Sequence, residues 1–181
     1  MDRSDRPPGR GVADTPGEER PAPALADADA ILARADDDAA AADEARARVR
    51  REGLPDLAPD ERIAPLLEPG ERLVAHHHGA LLERRAPAPG ARLTPGVAGE
   101  LYLTTRRLVL VGRLTLWFEL PAIEDAVVSG ERLLLVLRGG QGIALQVAQP
   151  RRLGVELAAA RGAAGAAQAS GVDTPPRPDA R

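Results

Sequence analysis

Gly99-Glu100-Leu101-Tyr102-Leu103-Thr104-Thr105-Arg106-Arg107-Leu108-Val109-Leu110 is the stretch on which the fold turns. Leu101 and Leu103 alternate with Tyr102 and Thr104, the period-two signature of a half-buried strand. Thr105-Arg106-Arg107 reads as a turn, and Leu108 to Val111 as the returning strand. The same pattern extends in both directions. Upstream, Leu73 to Glu83 is a strand, separated from the hairpin by a long loop holding Pro87, Pro89, Pro95 and Gly96. Downstream, Gly112-Arg113 turns the chain into a strand over Thr115 to Leu120, which Pro121 ends. Ala126 to Val128, Arg132 to Leu137 and Ile143 to Val147 follow, with Ser129-Gly130 and Gly139-Gly140 as tight turns.

Pro150 stands where a first helical turn tolerates proline. Leu153 and Leu157 then share one face of a short helix expected to end before Gly162. Seven short strands and one terminal helix in about 95 residues predict a small closed or nearly closed β architecture. Its expected core is Leu101, Leu103, Leu108, Leu110, Phe118, Leu133, Leu135, Leu137, Ile143, Leu145 and Val147, with Leu153 and Leu157 plugging one end. At ~1.5–3 kcal/mol per buried side chain, that core suffices for independent folding.

The flanks differ in composition. Residues 1–23 are mostly Pro, Gly, Asp and Arg and bury too little apolar surface to offset ordering entropy, so disorder is expected. Residues 24–62 form an acidic, alanine-rich helix and linker. The helix spans 27–52, with Asp27 or Asp29 as cap and Gly53 before Leu54-Pro55 as stop. Its large apolar residues are only Ile31, Leu32 and Val49, so a largely solvated helix is expected. The β domain covers 63–161, and residues 162–181 read as a disordered tail of Gly, Ala and Pro.

Composition narrows the function. All 24 basic residues are arginine, against 27 acidic ones. Lysine, asparagine and cysteine are absent, a bias we read as GC-rich coding, which weakens any argument from arginine number alone. Residues 1–62 carry 16 acidic and 10 basic groups, a balance of −6; residues 63–161 carry 9 and 12, a balance of +3. The acidic segment could therefore fold over a basic surface of the β domain. Without cysteine there is no disulfide framework and no thiolate zinc site. No apolar run approaches the ~18 residues of a membrane helix, and no export signal is visible, so a cytoplasmic location is expected, with peripheral membrane contact as an option. Tyr102, Trp117 and Phe118 are the aromatic residues, too few for a base-stacking platform.

Catalysis finds little support. The serines are Ser4, Ser129 and Ser170, two in expected disorder and one in a turn. Gly139-Gly140-Gln141-Gly142 joins two strands rather than opening a helix, so it is a hairpin turn and not a phosphate loop. No catalytic residues and no cofactor are assigned. The histidines are consecutive, His76-His77-His78. In a strand His76 and His78 share a face ~6.5–7 Å apart while His77 points away. That pair could ligate zinc only if Glu71, Glu83 or Glu100 supplied a third ligand. The spacing does not demand it, and a polar strand face is the expected role.

Pro69-Gly70-Glu71, Ala80-Leu81-Leu82-Glu83-Arg84 and the Gly99–Leu110 hairpin together resemble the GRAM domain family. Its members carry a PGE turn, a first strand leaving through ALL-x-R, and a G-x-LYLT hairpin. Phe118-Glu119-Leu120-Pro121-Ala122-Ile123 is similar to its later apolar strand and turn. The resemblance covers roughly residues 64–161. The aromatic the family has after the third strand is replaced here by Val111-Gly112. The resemblance implies a mainly β, pleckstrin-homology-like fold: a seven-stranded barrel or sandwich closed by a C-terminal helix. It also implies a non-enzymatic module that binds a protein partner or an anionic membrane surface. In such folds the ligand mouth lies at the loops after strands one, three and six, which here carry Arg84, Arg85, Arg92, Arg113 and Arg138. Guanidinium groups there would hold phosphate or carboxylate oxygens. A net charge of −3 and the lack of lysine favour a protein partner over a membrane. The runner-up is a nucleic-acid-associated module using Arg106, Arg107, Arg151 and Arg152, against which the acidic total and the missing aromatics speak.

Overall fold

The computed structural model describes residues 25–85 and 96–170. The chain runs α1 (Leu25–Glu52), β1 (Leu73–Arg85), β2 (Val97–Thr104), β3 (Arg107–Gly112), β4 (Thr115–Glu119), β5 (Ile123–Ser129), β6 (Arg132–Leu137), β7 (Gln141–Gln146) and α2 (Pro150–Ser170). All strand pairings are antiparallel, in one sheet of order β4-β3-β2-β1-β7-β6-β5. The long β1 is the hinge of the sheet. Its first half pairs with β2, and its second half also pairs with β7, from Leu81 opposite Gln146 to Arg85 opposite Gly142.

The sheet is not closed, contrary to the barrel expected from strand number. β4 and β5 are its two ends, joined by a single turn of 3-10 helix over Leu120–Ala122. Pro121 has no N–H to offer a ladder. The groups beside it bond elsewhere: Leu120 N–H donates to the Arg106 carbonyl (2.8 Å), and Arg138 N–H to the Ala122 carbonyl (2.7 Å). The ends of the sheet are thus tied to neighbouring turns instead of to each other.

The inner face is the expected leucine core. Leu101, Leu103, Leu108, Leu110, Leu133, Leu135, Leu137, Ile143, Leu145 and Val147 are buried, and Phe118 is partly buried against them. Leu153, Leu157 and Ala160 of α2 complete this core at i, i+4 and i+7 spacing. Gly99 lies opposite Gly112 in the β2–β3 ladder, and a methyl group at Gly112 would run into the Ala98 carbonyl oxygen. Beyond it β2 runs back to Val97 through pairs with Leu81 and Leu82 of β1, past the start at Leu101 that alternation suggested.

Both helices differ from expectation. α2 does not stop before Gly162, and residues 162–170 are helical rather than a disordered tail. Two glycines at ~1 kcal/mol each are tolerable in an alanine-rich helix, and Ala164 still packs on the core. α1 exposes Ile31 and Leu32 as expected, yet it is not simply solvated. Asp38, Ala42 and Ala45 are buried where it packs on α2. Asp38 accepts the N–H groups of Arg151 (3.0 Å) and Arg152 (3.1 Å). A carboxylate of one helix therefore caps the N-terminus of the other, where the helix dipole favours negative charge. α1 thus docks Asp38 on a helix end. Gly53 (φ 79°) ends α1 as expected, its N–H bonded to the Val49 carbonyl. Residues 1–23 and 171–181 and the loop at Pro87, Pro89 and Pro95 lie outside the described residues.

Candidate functional site

Of the five arginines expected to form one mouth, Arg113 and Arg138 have described side chains. Arg113 is exposed on the β3–β4 turn. Arg138, on the β6–β7 turn, donates from Nη2 to the Pro121 carbonyl (3.1 Å), which places it at the β4–β5 junction. That junction is bonded in turn to Arg106, on the β2–β3 turn. These bonds group the turns after β2, β4 and β6. Arg84 and Arg85 end β1 opposite Ile143 and Gly142; their side chains, and all of Arg92, lie outside the described residues.

The arginines of the nucleic-acid reading are mostly occupied. Arg107 holds Glu71 through two hydrogen bonds, Nε to Oε1 (3.0 Å) and Nη2 to Oε2 (2.8 Å), and also bonds the Leu66 carbonyl. Thr104 donates its hydroxyl to the same carboxylate (2.6 Å), as does the Glu68 N–H (2.9 Å). Burial pushes the Glu71 carboxyl up, and these bonds outweigh it and hold the group below the usual glutamate range. Arg106 pairs with Glu68 (2.7 Å) and Arg152 with Glu156 (2.8 Å), while Arg151 is exposed. This network fastens the Pro69-Gly70-Glu71 turn to the β2–β3 turn, so its arginines serve the scaffold.

The histidines divide as strand alternation predicts. His77 faces inward, where its Nε2 lies 2.8 Å from Glu156 of α2, and both side chains are buried. His76 and His78 face outward. A bulge follows: β1 advances from His77 to Ala80 while β2 moves only from Leu101 to Gly99, so His78 and Gly79 together oppose Glu100. Gly79 takes φ 65°, a conformation that suits glycine. The bulge swings His78 over its neighbour. The two rings lie 4.2 Å apart, and His76 Nε2 and His78 Nδ1 each approach the same Glu100 oxygen at 2.8 Å. Of the three glutamates named for this role, Glu100 is the one that arrives. Burial pushes its carboxyl up, and the bonds and charge of the two histidines outweigh that and hold it below its ordinary value.

The cluster is braced from beneath. Tyr102 stacks on His76 (4.3 Å, 11° between planes) and is fully buried. Its hydroxyl donates to Asp60 (2.7 Å), which also accepts the N–H groups of Arg62 and Ile63. Ile63, Leu73, Tyr102 and Val109 form a second small core there. In register, His76 faces Tyr102, Tyr102 faces Val109 and Val109 faces Trp117. One row across four strands thus ends in Trp117, 56% exposed. Trp117 stands on the face of β4 opposite the partly buried Leu116 and Phe118.

Two shallow clefts flank the C-terminal half of α2. One is lined by Leu120, Ile123 and Arg161, the other by Leu54, Thr105 and Arg106. Neither contains the histidines. Among the described residues, no helix is long and apolar enough to cross a membrane.

No protein-family model matches the chain, and no curated protein matches it. Among solved structures it is similar to the C-terminal domain of an unknown protein from Leishmania infantum. That likeness has 17% identity and a TM-score of 0.38, over 51% of this chain and 84% of that one.

Proposed function

We propose that this chain is a non-catalytic binding module of pleckstrin-homology-like, GRAM-like type, and that it docks a protein partner through the outer face of β1–β4. The observation that carries the reading is the chain's lone tryptophan, Trp117, half exposed on the outer face of β4, where the buried Tyr102 and Val109 of the neighbouring strands support it from the side. Tryptophan is over-represented among residues that dominate binding energy, and an exposed one is an available anchor. The strand order, with a C-terminal helix laid on the core, suits the pleckstrin-homology-like scaffold. Charge favours protein over lipid: the chain is −3 overall, has no lysine, and commits Arg106, Arg107, Arg138 and Arg152 to internal partners. A membrane surface needs a cluster of free basic groups.

Co-sedimentation with vesicles containing phosphatidylserine, at physiological salt, separates the two partners. The full chain should stay in the supernatant, and Trp117 emission should not shift. Sedimentation that salt reverses and Arg113→Ala weakens would replace the protein reading with the anionic-surface one.

A further inference from the structure

We propose that His76, His78 and Glu100 form a binding site for a divalent transition-metal ion, zinc foremost. The facing nitrogens of His76 and His78 and a carboxylate oxygen of Glu100 all lie within 4.8 Å of one another. Around a tetrahedral zinc ion with bonds of about 2.0–2.2 Å, ligand atoms stand about 3.3 Å apart. The present nitrogen–oxygen separations of 2.8 Å need to open by only about half an ångström to admit the ion. His78, with 81% of its side chain exposed, is free to make that movement.

The donor set selects the metal. Two imidazoles and one carboxylate suit zinc, cobalt, nickel or copper, whereas magnesium and calcium want oxygen ligands throughout. The ring nitrogens that face Glu100 need not change the charge of the site to turn from donor to ligand. Each neutral imidazole carries one proton, and moving it to the other ring nitrogen frees the facing lone pair. The Glu100 carboxylate supplies the compensating negative charge.

The site is also held in place before any ion arrives. His76 is fixed by its stack on buried Tyr102, which Asp60 anchors through the hydroxyl. Glu100 is on β2, opposite the bulge that brings His78 round. With three protein ligands and one side open to solvent, water completes the shell. The ion would clamp β1 to β2 across the bulge. It would lie on the face proposed for docking, but its binding does not depend on that proposal.

The test uses full-length protein carrying no histidine tag, titrated with zinc chloride in a calorimeter without any partner. One ion per chain should bind, and a tenfold excess of magnesium should not displace it. His78→Ala and Glu100→Gln should each weaken binding by more than the ~10–100-fold that loss of an outer support costs a metal site. Cobalt should give the visible absorption of a four-coordinate ion in the wild type and lose it in both variants. No saturable binding tighter than about 1 mM, or binding that neither substitution weakens, would overturn the assignment. Because no partner is present, failure here leaves the docking proposal standing, and failure of docking leaves this one standing.

Discussion

Glu71→Gln is expected to cost about 3–5 kcal/mol, the loss typical when one member of a buried ion pair is removed. The Glu71 side chain is fully buried, and Arg107 exposes 13% of its own. The carboxylate collects Arg107, the Thr104 hydroxyl and the Glu68 N–H, so the amide leaves the guanidinium with only the half-exposed Glu68 carboxylate, 3.6 Å away, as counter-charge. Glu68, which pairs with Arg106 from the surface, should by contrast cost no more than ~1 kcal/mol when truncated. Urea unfolding at neutral pH measures both. Removing Glu71 and Arg107 together for apolar residues should recover part of the loss, because no orphaned charge remains. The pair also sets an acid limit. The Glu71 carboxyl is held below its ordinary value when folded. Its stabilisation is therefore complete above the ordinary glutamate range, near ~4.3, and is lost as pH falls through the lower folded value. Glu156, also held low, against the push of burial, by His77 and Arg152, has the same sign. Glu71→Gln should remove part of this acid-limb slope. An unchanged slope would show that the pair contributes nothing there.

Leu157→Ala should cost about 2–5 kcal/mol, the range for emptying a leucine site in a closed core. Leu157 is wholly buried between Leu153 and Ala160 on the face that α2 lays against the sheet. An exposed leucine such as Leu114 should change stability by no more than ~0.5 kcal/mol on the same substitution. Thermal or urea unfolding compares the two directly. A loss below ~0.5 kcal/mol at Leu157 would mean that α2 only rests on the surface.

What sequence reveals here follows from range. Strand alternation, the leucine core, Pro150 at the start of α2 and the shared face of His76 and His78 are local patterns, visible within a few residues. The bulge at Gly79 is not, because a glycine inside a strand gives no direction of bend. Pairings across long separations are equally hidden. Glu71 with Arg107 spans 36 residues, and Asp38 reaches α2 across 113. The alanine stripe of α1 looked too weak for a core face, since the hydrophobic pattern of a helix does not record that a small-residue partner helix packs against it. Glu100 stood among three possible third ligands until the register of β2 against β1 singled it out.

Photo-crosslinking from position 117 tests the docking face most directly. Trp117 would be replaced by p-benzoylphenylalanine in the full chain and irradiated in cells, with Val136, an exposed apolar residue on β6, as the control position. The account predicts a discrete protein adduct from position 117 and none from 136. Adducts at 136 alone, or lipid adducts at 117, would contradict it.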